Sequence, residues 1–380
     1  MIGRMRSELV ELTSQLVAID SVNPALVEGG SGEAAVAAFV ADWGRAAGLG
    51  VEVVGDPERP SVVLRARGSG GGRSLLLCGH LDTVDVEGMV DPYAPRINGD
   101  WLYGRGSYDM KAGLAAALIA ARDAARLGLA GDVIVAAVAD EEHASLGIQE
   151  VLQSVHADAG IVTEPTELEV VVAHKGFVWS EIEVTGVAAH GSRPALGVDA
   201  IVKTGPLLVG LGALDTDLAA RPHPLLERGS VHASLIQGGR ELSSYPARCL
   251  VTIERRTLPG ETVRDVEQEL DGLLHRCRTA DAELVAERRT LLVRDPLEVD
   301  PGEEIVSAVR AAAASVTGSE PPLAGASYWA DSSFIAAAGI PTVLYGPRGE
   351  GAHAVEERVS LHATELVART LVEVAAAFCR

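Results

Sequence analysis

The chain has 380 residues, 47% of them apolar, which exceeds one ordinary hydrophobic core and predicts two domains. Its formal charge of −21, from 32 basic and 53 acidic residues, argues against nucleic acid and anionic membranes as partners, since both are bound through a positive surface. Cys78, Cys249, Cys277 and Cys379 form no C-x-x-C pair, so neither a disulfide framework nor a cysteine zinc site is indicated, and a reducing compartment fits.

In chain order, the segment through Val17 carries early arginines but interrupts its apolar residues with Glu8 and Glu11. That pattern predicts an amphipathic helix, not a signal peptide. Apolar runs follow at 62–66, 75–78, 133–138 and 159–163, alternating with helical stretches near 33–47 and 110–127. Continuous apolar strands separated by helices predict an α/β layer whose mostly parallel sheet is covered on both faces. The longest apolar run, 112–121, is too short to cross a bilayer and reads as a buried helix, so a soluble, cytoplasmic protein is expected. From Phe177 the texture changes, because polar and apolar residues alternate over 180–185 as in a half-exposed strand. A helix at 199–214, strands near 230–236 and 248–255, a helix at 262–277 and a strand at 283–289 complete the order β-α-β-β-α-β. This is a ferredoxin-like α+β order. A helix at 303–314, a strand at 342–345 and a helix at 364–378 then restore the first texture, giving expected domains of 1–175 and 293–380 around an insertion at 176–292.

Ligands of open α/β sheets bind beyond the carboxyl ends of the strands. This chain places acidic residues and a histidine at those ends: His80 and Asp82 after one run, Glu141 and Glu142 after the next, Glu164 after the third. Asp109 opens the Ala-rich helix, where it either caps the helix or bridges two cations with its two oxygens. Carboxylates so crowded repel one another unless cations neutralise them, and imidazole with carboxylate oxygens suits zinc, with cobalt or manganese as substitutes. Neighbouring side chains diverge on a strand, so one of Glu141 and Glu142 can hold metal while the other acts as a base. His353, in Gly351-Ala-His, is a further candidate ligand; His143 and His174 read as structural or incidental.

The motifs Gly79-His-Leu-Asp-Thr-Val, Gly104-Arg-Gly-Ser-Tyr-Asp-Met-Lys, Asp140-Glu-Glu, Thr163-Glu-Pro-Thr, Gly186-Val-Ala-Ala-His-Gly-Ser-Arg-Pro, Arg255-Arg-Thr-Leu-Pro-Gly and Tyr345-Gly-Pro-Arg-Gly-Glu-Gly-Ala-His stand in the order seen in one family. Over nearly its full length the chain resembles the dinuclear zinc amidohydrolases and peptidases that include acetylornithine deacetylase, succinyl-diaminopimelate desuccinylase, aminoacylase and glutamate carboxypeptidase. The resemblance implies a catalytic domain with an inserted lid, and a homodimer formed through that lid. It implies two zinc ions bridged by Asp109, with His80 and Glu164 completing one site and Glu142 and His353 the other. It makes Glu141 the general base and Asp82 the residue that orients His80. His190 would reach into the partner subunit's site to stabilise the oxyanion, and Arg256 would grip the substrate's carboxylate. A cis peptide between Asp109 and Met110 is also implied.

One departure concerns specificity: where several members carry an asparagine that helps to hold substrate, this chain aligns Ser243. The leading expectation is hydrolysis of an N-acyl, chiefly N-acetyl, amino acid. Cleavage of a short peptide by a dipeptidase or carboxypeptidase, or desuccinylation, comes next. A non-catalytic binding protein on the same fold is disfavoured, because His80, Asp109, Glu141, Glu142, Glu164 and His353 are all present.

Overall fold

The computed structural model describes residues 2–380, with side chains from Met5 onward. Met1, the first residue of the expected N-terminal helix, lies outside the described residues, and the helix itself spans Ile2–Val17. The chain divides into two compact units: Met1–Val172 with Val299–Ala324 and Ala330–Arg380, and Ala173–Glu298 with Gly325–Trp329. The returning segment of the first unit starts at Val299, beyond strand Val285–Arg294, which pairs with Gly176–Thr185 up to Arg294. Among the described residues no helix is long and apolar enough to cross a membrane.

In the first unit, the sheet runs Gly50–Val54, Ser61–Ala66, Val133–Val138, Leu75–His80, Ala159–Val162, Thr342–Leu344 and then Val170–His174. Its centre is parallel: Leu75–His80 lies between Val133–Val138 and Ala159–Val162, which in turn pairs with Thr342–Leu344. Every residue of Leu75–His80 and Val133–Val138 is buried, as strands covered on both faces require. Helix Ala112–Ala124 is almost wholly buried, and its small residues let it approach the sheet closely. A Cβ on Gly113 would stand 2.0 Å from the carbonyl oxygen of Thr163, so even alanine is excluded there. A second sheet joins Gly349–Glu350, Arg358–Ser360, Trp101–Tyr103 and Arg96–Asn98.

The second unit is a four-stranded antiparallel sheet in the order Ser230–Gly238, Arg248–Thr257, Gly176–Thr185, Val285–Arg294, with helices Ala200–Leu218 and Val263–Ala280. Chain order and strand order are those of a ferredoxin-like domain. Arg248–Thr257 alternates between buried and partly exposed residues, and its inner side chains Cys249, Val251 and Ile253 pack with Leu207, Leu211, Leu270 and Leu274. Local signals agree with the helix starts. Asp199 accepts a hydrogen bond from the Val202 N–H, and Thr262 with Asp265 forms a reciprocal capping box.

Candidate metal centre

Three neighbouring parallel strands of the first unit end within two residues of one another. His80 lies opposite Val138, and Cys78 opposite Val162, so the polar residues that follow emerge side by side. His80, Asp82, Glu141, Glu142 and Glu164 all arrive by this route. Asp109 is delivered by the turn Ser107–Lys111 ahead of the buried helix, and its peptide bond to Met110 is cis, as the resemblance implies. His353 comes from the loop between Gly349–Glu350 and Arg358–Ser360, with a left-handed backbone at φ 60°.

The side chains converge on Asp109. His80 Nε2 is 3.1 Å from Asp109 Oδ1 and 3.7 Å from Glu164 Oε1. His353 Nε2 is 3.4 Å from Asp109 Oδ2 and 3.2 Å from Glu142 Oε2. Asp109 thereby turns one oxygen toward each histidine. Ligand atoms of His80, Asp109 and Glu142 lie within 4.8 Å of one another, and so do those of His80, Glu141 and Glu164. Glu141 therefore stands within reach of the same space as the expected ligands.

Asp82 meets His80 through its backbone and not through its carboxylate. His80 Nδ1 donates to the backbone oxygen of Asp82 at 2.9 Å, while the nearer carboxylate oxygen is 3.7 Å away. A carbonyl can only accept, so Nδ1 carries the proton and Nε2 is the nitrogen aimed at Asp109 and Glu164. The Asp82 carboxylate instead accepts from the N–H groups of Glu141 and Glu142, both at 3.1 Å, and from Asn23 Nδ2 at 2.8 Å. It fixes the glutamate pair through the backbone.

Further buried residues, unmarked in the sequence reading, hold this frame. Asn23 Nδ2 also donates to Asp140 Oδ1 at 3.0 Å, Arg59 Nη1 reaches the same oxygen at 2.7 Å, and Glu33 accepts from the Asp140 N–H at 3.1 Å. Asp140 sits at φ 67°, a conformation that costs a non-glycine residue free energy and that these bonds sustain. Tyr108, beside Asp109, donates its hydroxyl to Glu167 at 2.6 Å and so ties the Asp109 turn to the loop after Glu164.

Charge explains why a cation fits. Burial, reinforced by neighbouring carboxylates, pushes the carboxyls of Glu141, Glu142 and Glu164 above their usual range. Burial opposes a charge on His80, yet the carboxylates of Asp109, Glu164, Glu141 and Asp82 outweigh it and push that imidazole well up. His353, hydrogen-bonded to Asp109 and Glu142, is pushed up to about 10. Burial also works against a charge on Asp109, but the two histidines hold its carboxyl well below the usual range. The cluster thus gathers positive charge as protons. Neighbouring ligands on a tetrahedral ion with bonds near 2.0–2.1 Å stand about 3.3 Å apart, and the pair separations here bracket that value. Nitrogen and carboxylate oxygen donors at this spacing fit divalent cations.

The other two sequence candidates belong to the second unit. His190 is exposed, with Nδ1 2.8 Å from Ser192 Oγ, and its neighbour Gly191 donates to the backbone oxygen of Ser243 at 2.6 Å. Arg256 donates from Nε to Glu254 Oε1 at 2.7 Å and stacks 5.1 Å over the Phe177 ring, leaving Glu254 also bonded to Trp179 Nε1.

Comparison with known proteins places the chain in a family. The model of peptidase family M20/M25/M40 matches residues 76–377. Acetylornithine deacetylase of Proteus mirabilis is 33% identical over 276 residues, covering 70% of each chain. N-formyl-4-amino-5-aminomethyl-2-methylpyrimidine deformylase of Bacillus subtilis is 29% identical over 340 residues, covering 80% of each. The fold is shared with an M20 family metallo-carboxypeptidase from Sulfolobus solfataricus, at TM-score 0.81 and 17% identity over 98% of this chain and 99% of that one. The chain belongs to peptidase family M20/M25/M40 and is a metal-dependent hydrolase of amide bonds.

Proposed function

We propose that this protein removes a short acyl group from an N-acyl amino acid at a two-zinc centre. Asp109 would lie between the ions, with His80 and Glu164 on one side and Glu142 and His353 on the other. The observation that carries this reading is the placement of the two Asp109 oxygens, 3.1 Å from His80 and 3.4 Å from His353. Cobalt or manganese would suit the same donors.

Bound cations would raise the acidity of water and polarise the amide carbonyl. Glu141 is the general base. It takes a proton from water as the water oxygen bonds to the acyl carbon, and it returns that proton to the amine nitrogen as the C–N bond breaks, leaving an amine and a carboxylic acid that gives up its proton to solvent. Burial, which pushes the Glu141 carboxyl up, suits it to both transfers. Asp82 holds Glu141 in place through its N–H. Arg256 would pair with the carboxylate of the substrate, a task for a planar fork of donors, and His190 would serve the partner subunit's carbonyl oxygen.

The deacetylase and the deformylase among the relatives both take off a small acyl group, which supports a short acyl substrate here. A homodimer through the second unit is supported by its edge strand Ser230–Gly238 and helix Ala200–Leu218, where Leu235, Ile236, Val202 and Val209 are all exposed. The four cysteines are unpaired, in keeping with a reducing cytoplasm. A hydrolysis screen of the zinc- or cobalt-loaded protein tests the substrate class. N-acetyl amino acids should be cleaved best; preference for N-succinyl amino acids or dipeptides would replace that class, and no cleavage of any would refute the catalytic reading.

A further inference from the structure

Glu357 has no place in the chemistry described above, yet it is buried and four donors converge on it. Its Oε1 accepts from the N–H groups of Tyr108 at 2.8 Å and Asp109 at 3.0 Å. Its Oε2 accepts from the Gly106 N–H at 2.9 Å and from Arg105 Nη1 at 2.8 Å. Arg105 is itself buried and spends its other nitrogens on backbone oxygens, Nη2 on Ala354 at 3.0 Å and Nε on Asp85 at 2.9 Å. One carboxylate and one guanidinium therefore fasten two segments together. The first is the turn that presents Asp109; the second is the loop 351–357 that presents His353.

The need for such a fastening is visible at His353. Its side chain is 55% exposed, whereas that of His80 is 1% exposed and packed at the end of a central strand. Loop 351–357 begins at Gly351 with φ 82°, and a Cβ there would lie 2.0 Å from the Glu356 oxygen, so the loop folds tightly on itself with little core beneath it. Such segments open locally at low cost unless tied to something rigid.

We propose that the buried Arg105–Glu357 pair is a positioning device for the metal centre: it sets the affinity of the cation held by Glu142 and His353 more strongly than that of the cation held by His80 and Glu164, since it ties both the Asp109 turn and the His353 loop, whereas His80 and Glu164 stand at the ends of central strands. This rests on the proposed ligand role of His353. Residues that orient ligands without touching metal typically change affinity about 10- to 100-fold.

The test measures metal content of the purified full chain after dialysis over a zinc series, with cobalt absorption as a second reading, in Glu357→Gln, Arg105→Lys, His353→Ala and the double variant Glu357→Gln/His353→Ala. Glu357→Gln and Arg105→Lys should each bind the ion on the Glu142–His353 side at least about tenfold more weakly and lose clearly less at the His80–Glu164 side. Amide exchange across 351–357 in the metal-free protein should quicken. In the His353→Ala background, Glu357→Gln should weaken the second ion no further, whereas a general structural role would add its own loss. Parental affinities at both sites, equal loss from both, or an additive double variant would overturn the proposal. If Glu357→Gln fails to fold, Arg105→Lys carries the same comparison; failure of both assigns the pair to folding and overturns it too. Retention of both ions by His353→Ala would instead remove the ligand role on which the proposal rests.

Discussion

Replacing Asn23 with alanine separates the frame of the site from its chemistry. Asn23 is fully buried and touches no expected ligand, yet it bridges the Asp82 and Asp140 carboxylates at 2.8 and 3.0 Å and accepts the Ala25 N–H at 2.9 Å. Hydrogen bonds to charged groups are worth about 1.5–3 kcal/mol each, so losing two gives about 3–6 kcal/mol. The lower end applies, because Asp82 keeps the Glu141 and Glu142 N–H groups and Asp140 keeps Arg59. For a unit of this size, about 3 kcal/mol corresponds to a melting temperature lower by roughly 6–12 °C. Differential scanning calorimetry of the metal-free protein reads this on the transition of the first unit. Activity should also fall, chiefly in kcat, since the Asp140–Glu142 turn loses a support while the proposed substrate contacts are untouched. A melting temperature within 2 °C of the parent, roughly 1 kcal/mol or less, together with an unchanged kcat would refute the frame as drawn.

Glu141→Ala should keep its metal and lose at least about a hundredfold in kcat, whereas Glu142→Ala should lose metal on dialysis; equal metal loss would end that division of labour. For the metal-free protein, the sign of the pH dependence follows from the raised imidazoles. Stability from protonated His353 is fully present below an unfolded value of about 6.5 and lost as pH rises through about 10, so urea midpoints should fall across that window and flatten in His353→Ala. Loading metal at neutral pH should release protons, seen as a buffer-dependent heat of binding; a heat independent of buffer would contradict protonated histidines at the site. Co-expressed His190→Ala and Glu141→Ala chains should recover activity that each alone lacks, because one site of the mixed dimer has both residues intact; a verified heterodimer without activity would confine His190 to its own chain.

The parts of the centre legible in the sequence are those whose position follows from strand ends. His80, Glu141, Glu142 and Glu164 stand directly after apolar runs that become parallel strands in register, so periodicity alone places them on one edge. Asp109 and His353 sit in a turn and a loop with no period; local setting makes each a candidate with a structural alternative, and the order of the motifs is what implies their ligand roles. Asn23, Glu33, Arg59 and Glu357 left no signal, since their bonds join residues tens to hundreds of positions apart. Asp82 shows the limit of a same-face argument. It predicts that two side chains point together, yet hydrogen-bond donors from the next loop claimed the carboxylate and left His80 to the backbone oxygen. Strand Gly50–Val54 escaped for a related reason, being an edge strand with no buried residue.

The central claim is that Asp109 joins two cations held by different histidines. Anomalous diffraction from crystals grown with zinc or cobalt measures this directly. The account predicts two peaks about 3.5 Å apart, one against His80 and Glu164, the other against Glu142 and His353, with an Asp109 oxygen on each. A single peak, or a second one away from His353, would contradict it.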